Sequence, residues 1–581
     1  MHTWDLNDLY QGFEGAYQED LKRLDHLIDD YIEWIMGDST NPIFYIEGYL
    51  KRSIELTKLT RGLFSYPSLV MSTDVTHQEA IKMMSSVQRI MRKATKENVI
   101  FQRYLESVDL DVLALTSPLI KNYLYSLKLD QKDASHLMSE SEEVLYAKLR
   151  ELSSGGWGQL QSLMTANLQI PFRSKTVTLP EIRNMAYEQD ADIRKEAYQA
   201  EIEAYSKVED AVALALSNIK REVLMISELK KYETPLQKTL DQSRMTKKTL
   251  DAMLSVMMEY RSDFESYLKV KATYLGHKGA LPFYDLFAPV GHLATTYTYE
   301  EAQKLILDSF AGFDASLSQF AHKAFQKNWI DVEPRKGKRG GAFCSNQPQI
   351  KQSRIMLNFT GSLSDVSTLA HELGHGYHGE MISENDPLHW SYPMPLAETA
   401  SIFCETILNN YLLDRITDPM EKLAVLENSL QGDTQVIVDI LSRYFFETAL
   451  FEKANAPISK DQMKAMMLDA QKKAYQEGLD HDCLHPFMWV NKPHYYSAGL
   501  NFYNFPYAFG LLFGKGLYAQ YLKDPKGFVP KYQALLRETT KASVEACAKA
   551  LHIDVTKPDF WRDSMNEIKK DIEEVKRLMQ R

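Results

Sequence analysis

The chain has 581 residues, with 67 Lys and Arg against 78 Asp and Glu and a net charge of -11. That length buries a large core and exceeds the usual single-domain size, while the acidic balance excludes a general attraction for nucleic-acid backbones or anionic lipid surfaces. The opening MHTWDLNDLY has no basic-then-apolar signal pattern, and no apolar run reaches the roughly 18 residues of a membrane span. The expectation is therefore a cytoplasmic protein with neither a membrane nor a nucleic-acid partner, and the sequence carries no signal for its oligomeric state.

Helical signals run from end to end, so the expected fold is mainly α. SSGGWG, at Ser153 to Gly158, reads as a glycine-rich interruption. Thr178 with Glu181, Thr298 with Glu301 and Ser459 with Gln462 each have the spacing of a capping box, and Pro180 suits a first helical turn. A soft boundary near residue 195 divides an N-terminal helical lobe, 1–195, from a larger region, 196–581. The segments 181–206, 246–276, 299–326, 420–454 and 558–581 repeat apolar residues at threes and fours, which predicts helix faces packed on a core. Between them, 337–361 alternates small or apolar with polar residues and is broken by Gly and Pro, which predicts a small antiparallel sheet. Gly478 is expected to close the helix opened at Ser459. Cys344, Cys404, Cys483 and Cys547 form no CxxC pair, so neither a cysteine metal cage nor a disulfide framework is expected.

The segment LSDVSTLAHELGHGYHGE contains His371, Glu372 and His375 in the HExxH pattern. Positions four apart share one helix face, so two imidazoles can bind one Zn2+ while Glu372 projects beside them toward an attacking water. Asp365 or Ser364 is expected to cap this helix. A catalytic zinc takes a third protein ligand and keeps one position open. The metzincin continuation is excluded, because position 378 is His rather than Gly and position 381 is Met rather than His. An acidic residue on a following helix remains. YPMPLAETASIFCETILNNYLL supplies Glu398, on a helix expected to begin near Pro395, and Glu405 seven residues on along the same face. Two carboxylates on an apolar stripe need a buried partner. Glu398 is the expected third ligand and Glu405 a group that orients a ligand histidine; His378 is expected to pack rather than to bind metal.

HELGHGYH followed by LAETAS at this distance resembles the M3 metallopeptidases, and WDLNDLY, at Trp4 to Tyr10, resembles their oligoendopeptidase F branch. The resemblance implies a mostly helical fold in which two lobes enclose a deep channel, with the small sheet near the zinc helix, and it implies cleavage of short unstructured peptides. It also maps the family's ligands onto His371, His375 and Glu398, and its catalytic glutamate onto Glu372. The family closes a late loop over substrate with a histidine and tyrosines. Here KPHYYSAGLNFYNFPYAFG offers His494, Tyr495, Tyr496, Tyr503 and Tyr507; Tyr503 and Tyr507 keep the spacing of two family tyrosines, while a third expected position is Gly510.

The expected activity is a zinc-dependent endopeptidase acting on short peptides. Glu372 serves as general base and then acid, Tyr503 or His494, with Tyr507 beside them, donates to the oxyanion, and Tyr495 and Tyr496 contact substrate. Gly340 and Gly341, before AFCSNQPQ, would let the sheet edge approach a bound peptide that adds as a further strand. A zinc exopeptidase and a non-catalytic peptide-binding protein are the alternatives. The first would ordinarily carry a GxMEN-like element, which is missing, and the second is disfavoured because all catalytic residue types are present.

Overall fold

The computed structural model describes residues 2–291 and 296–580. The fold is mainly α, as the periodicity predicts, and its only sheets among the described residues are a short hairpin, Ile170–Phe172 with Lys175–Val177, and a three-stranded sheet. No described helix is long and apolar enough to cross a membrane. The chain divides into two compact units, each assembled from three stretches of sequence. The first unit holds Met1–Leu137, Thr295–Tyr411 and Tyr521–His552, and the second holds Met138–Ala294, Leu412–Gln520 and Ile553–Arg581. Residue 195 lies inside the helix Ala191–Ser206.

Helix starts are set largely by local chemistry. The three expected capping boxes are present, each joining a Thr or Ser to the Glu or Gln three residues later. Segment 246–276 is two helices, Lys247–Glu259 and Arg261–Tyr274, and 420–454 is Pro419–Thr434 and Ile440–Lys453 joined by a π-helical turn at Gln435–Asp439. The helix opened at Ser459 ends at Tyr475, and Gly478 ends the short 3-10 turn that follows.

SSGGWG begins at a break between two helices, Glu140–Leu152 and Ser154–Ala166. Ser153 alone carries the break, and Ser154–Ala166 is a helix that includes all three glycines. At Gly158 small size serves close packing: a Cβ there would sit 2.8 Å from the carbonyl oxygen of Tyr496.

In the first unit, the helices Ala16–Ile35 and Pro42–Thr73 bury Tyr17, Leu24, Ile28, Leu63 and Tyr66 in an N-terminal core. The three-stranded sheet runs in the order Ile330–Asp331, Gln352–Met356, Phe343–Gln347, with the first pair parallel and the second antiparallel. Strand Phe343–Gln347 is thus an edge, and Gly340 and Gly341 lie exposed just before it, with Gly341 at φ +80°. In the second unit a large apolar core gathers Leu216, Ile219, Phe446, Leu450, Met463 and Trp489.

The second unit also buries charge. The ammonium of Lys271 lies 2.5 Å from Glu427, both side chains almost fully enclosed, and the same carboxylate accepts from the Tyr267 hydroxyl and the Gln431 amide. Glu427→Ala removes an acceptor shared by Lys271, Tyr267 and Gln431 and leaves the buried Lys271 ammonium without its counter-charge. It is expected to cost about 3–5 kcal/mol, read as a lowered urea midpoint at unchanged slope; a loss below about 1 kcal/mol contradicts this account of the core.

Candidate metal centre

HExxH lies on the helix Leu363–Ile382, in the first unit. Its N-cap is Ser362, not Ser364 or Asp365. Ser362 accepts from the Asp365 amide while the Asp365 carboxylate accepts from the amides of Ser362 and Thr360, so Asp365 is the third residue of the box and the helix starts earlier than expected. A short side chain that can close this reciprocal pair wins over the more acidic candidate.

Three glycines on this helix permit close neighbours. A Cβ at Gly374 would sit 2.5 Å from the carbonyl oxygen of Ala400 and 2.6 Å from the Cα of Ser401. That contact draws the segment bearing Glu398 against the motif. Glu398 occupies the joint between two helices, Met394–Ala397 and Thr399–Leu413, rather than the interior of one beginning near Pro395.

At this joint three ligand atoms converge. His371 Nε2 and His375 Nε2 are 3.1 Å apart, and Glu398 Oε2 lies 3.2 Å from the first and 3.5 Å from the second. Among the described residues this is the one group of three such side chains able to hold a metal ion. His371 Nδ1 lies 3.0 Å from Glu405 Oε1. A proton held there leaves Nε2 with its lone pair toward the other two atoms. The structure therefore brings together His371, His375, Glu398 and Glu405.

Glu372 is buried on the same helix. Its Oε2 has no hydrogen-bond partner, while the backbone N–H of Cys344, on the edge strand, bonds its carboxylate. Burial pushes this carboxyl up to about 7, with Glu398 and Glu405 adding to the rise against the opposing pull of His371. Burial works against a charge on His371, yet hydrogen bonds to Glu398 and Glu405 hold it well above its usual range. Burial and the charge on His371 together take His375 down to about 4. Burial would raise Glu398, but the two histidines and the Ser401 hydroxyl hold it at about 2. An orphaned buried carboxylate oxygen beside three convergent donor atoms of the His, His, Glu type fits a divalent ion of zinc's preference.

Two supporting groups were not anticipated. The Ser401 hydroxyl donates to Glu398 Oε2 at 2.8 Å, and Asn346 on the edge strand donates to the carbonyl of His375 at 3.1 Å. The serine was visible as the last letter of LAETAS, one helical turn beyond the carboxylate; the asparagine had no signal. His378 packs, as expected: its ring stacks on Tyr392 at 4.2 Å and its Nε2 meets the Thr539 hydroxyl.

The late-loop residues belong to the second unit. Tyr503 and Tyr507 join their hydroxyls at 2.9 Å, and the His494 ring stacks on Tyr503 at 5.6 Å. Tyr495 and Tyr496 are corrected: at 0% and 4% exposure they are part of the unit's apolar core, where their rings are unavailable to a peptide. The apolar surface of two adjacent tyrosines was worth more to the core than to a binding site.

The profile of peptidase family M3 matches residues 184–567. The chain belongs to this family. It is a metallopeptidase of the oligoendopeptidase F branch. It is 23% identical to oligopeptidase PepF of Bacillus subtilis over 99% of this chain and 87% of that one. It is 24% identical to an oligoendopeptidase F homolog of Lactococcus lactis over 100% of this chain and 97% of that one. A solved peptidase structure from Chlamydophila abortus has the same fold, with a TM-score of 0.85 at 22% identity over 99% and 98% of the two chains.

Gly374→Ala tests the close approach that assembles the site. The added methyl meets backbone rather than a flexible side chain, so a loss of about 1–3 kcal/mol is expected, together with weaker metal retention in an equilibrium chelator competition. Unchanged stability and unchanged retention would show that the two segments need not touch.

Proposed function

We propose that this metallopeptidase is a zinc-dependent endopeptidase that cleaves internal bonds of short, unstructured peptides. The observation that carries the reading is the convergence of His371 Nε2, His375 Nε2 and Glu398 Oε2 beside the partnerless Glu372 Oε2. The oligopeptidase and oligoendopeptidase names of its relatives support the substrate class.

His371, His375 and Glu398 would hold the ion, with Glu405 fixing the orientation of the first imidazole. Zinc supplies Lewis-acid polarisation of the scissile carbonyl and eases deprotonation of a water at the site. Glu372 takes that water's proton and passes it to the leaving nitrogen. A carboxyl raised to about 7 suits both halves of the transfer, because a group that titrates near neutral pH can take up a proton and also give it back. Among the described residues the edge strand Phe343–Gln347 has no strand neighbour on its outer side, where a peptide can add in extended form beside the positions already taken by Glu372 at the Cys344 amide and by Arg61 at the Asn346 carbonyl, and exposed Gly340 and Gly341 leave its approach clear of side chains. His494, Tyr503 and Tyr507 are the proposed hydrogen-bond donors to the oxyanion of the tetrahedral intermediate.

Glu372→Gln preserves shape and removes the base. Hydrolysis of an internally quenched peptide is expected to fall by about 10²–10⁴-fold with bound zinc unchanged; turnover within a few fold of the parent chain contradicts the general-base role. Glu398→Ala is expected to lose metal at chelator concentrations the parent withstands, and equal retention would require a different third ligand. Mass-spectrometric mapping on a peptide blocked at both ends separates endopeptidase from exopeptidase action: internal cuts are expected, and an uncut blocked peptide that is trimmed once unblocked refutes the reading.

A further inference from the structure

A buried cation stands behind the late-loop histidine. Arg443, on the helix Ile440–Lys453, pairs with Asp439, the last residue of the π-helical turn Gln435–Asp439. Its Nη1 donates to Asn504 Oδ1 at 3.2 Å, and Asn504 Nδ2 lies 2.9 Å from His494 Nε2. All four residues lie in the second unit, and Arg443 and Asp439 are largely enclosed.

The donor and acceptor types leave one arrangement. A guanidinium has only N–H donors, so it can meet Asn504 only through the carboxamide oxygen. The amide nitrogen then faces His494, and since that nitrogen also only donates, the imidazole nitrogen it meets must carry a lone pair. The ring proton is thereby placed on Nδ1.

We propose that Asp439, Arg443 and Asn504 form a positioning relay that fixes His494 as the neutral tautomer protonated on Nδ1, so that the loop histidine presents a fixed N–H donor. A second observation agrees. Burial, then the charges of Arg443, Lys492 and Lys220, push His494 down to about 3, so the ring is uncharged at neutral pH. The π-helical turn gives the relay a structural origin, since such turns are rare insertions in helices and concentrate at functional sites. Burying a guanidinium against an imidazole brings no attraction between them. Its gain is the selection of one amide orientation and, through it, one tautomer. None of these three residues touches substrate in this account; they act through His494. The catalytic consequence rests on the reading of His494 as an oxyanion donor.

Nitrogen-15 NMR of the full-length chain labelled at histidine, with His494 assigned by comparison with His494→Phe, reads the tautomer directly. The expected result is a protonated Nδ1 and an unprotonated Nε2 at neutral pH; protonation on Nε2, or a rapidly averaging ring, overturns the proposal. Asn504→Asp supplies the reciprocal test. The carboxylate keeps the shape and the contact to Arg443 but presents an acceptor to His494, so the proton is expected to move to Nε2 and kcat to fall on the order of 100-fold, with KM within about threefold. A neutral ring that keeps its proton on Nδ1 and leaves Nε2 bare in this variant overturns the relay. Full activity in His494→Phe would instead remove the oxyanion role of His494, while leaving the NMR assignment to stand or fall by itself.

Discussion

Two imidazole nitrogens 3.1 Å apart, both facing one carboxylate oxygen, set the terms for the first unit. One proton can serve a pair of these atoms and leaves the third unpaired, whereas a divalent ion can take lone pairs from all three. Much of the surrounding structure holds the atoms in that relation. Ser362 and Asp365 start the motif helix. Gly374 lets the Glu398 joint approach it, while Glu405 holds the His371 ring and Ser401 holds the Glu398 carboxylate. Asn346 ties the His375 carbonyl to the edge strand whose Cys344 amide also bonds Glu372, so the sheet is fastened to the motif helix.

The second unit meets a different constraint, the burial of charge in an apolar core. Lys220 is fully enclosed, and it binds Glu447 and Asn501 while Glu447 also accepts from the backbone of Phe502. Phe502 has φ +51°, an uncommon conformation for a residue with a bulky side chain, and the buried pair holds the backbone there, one residue before Tyr503. The same logic governs Arg443 and Asn504. Ion pairs of this kind return little net stability, and here two of them bear on the one segment that carries His494, Tyr503 and Tyr507.

The parts legible in the sequence were those governed by short spacing. HExxH needs only one helical turn, and capping boxes need only three residues, so both could be read directly. Glu398 was reachable because a carboxylate in an apolar run has to be compensated. Its position at a joint between helices was not, since that depends on the Gly374 contact with Ala400. Ser362 was passed over in favour of a more acidic neighbour. SSGGWG does mark a break, at Ser153, but composition does not show that its glycines continue into the following helix. Tyr495 and Tyr496 shared a loop with Tyr503, yet the core of the second unit claimed them. Asn346 and the relay behind His494 depend on contacts between distant stretches of chain, for which one sequence gives no periodicity.

The central claim is that three named atoms hold one zinc ion. The measurement that tests it most directly is anomalous diffraction from crystals of the zinc-loaded chain, with data collected on both sides of the zinc absorption edge. The account predicts a single strong peak within about 2.0–2.2 Å of His371 Nε2, His375 Nε2 and Glu398 Oε2. A zinc peak at other residues, or a fully loaded chain with no peak at these three, would contradict it.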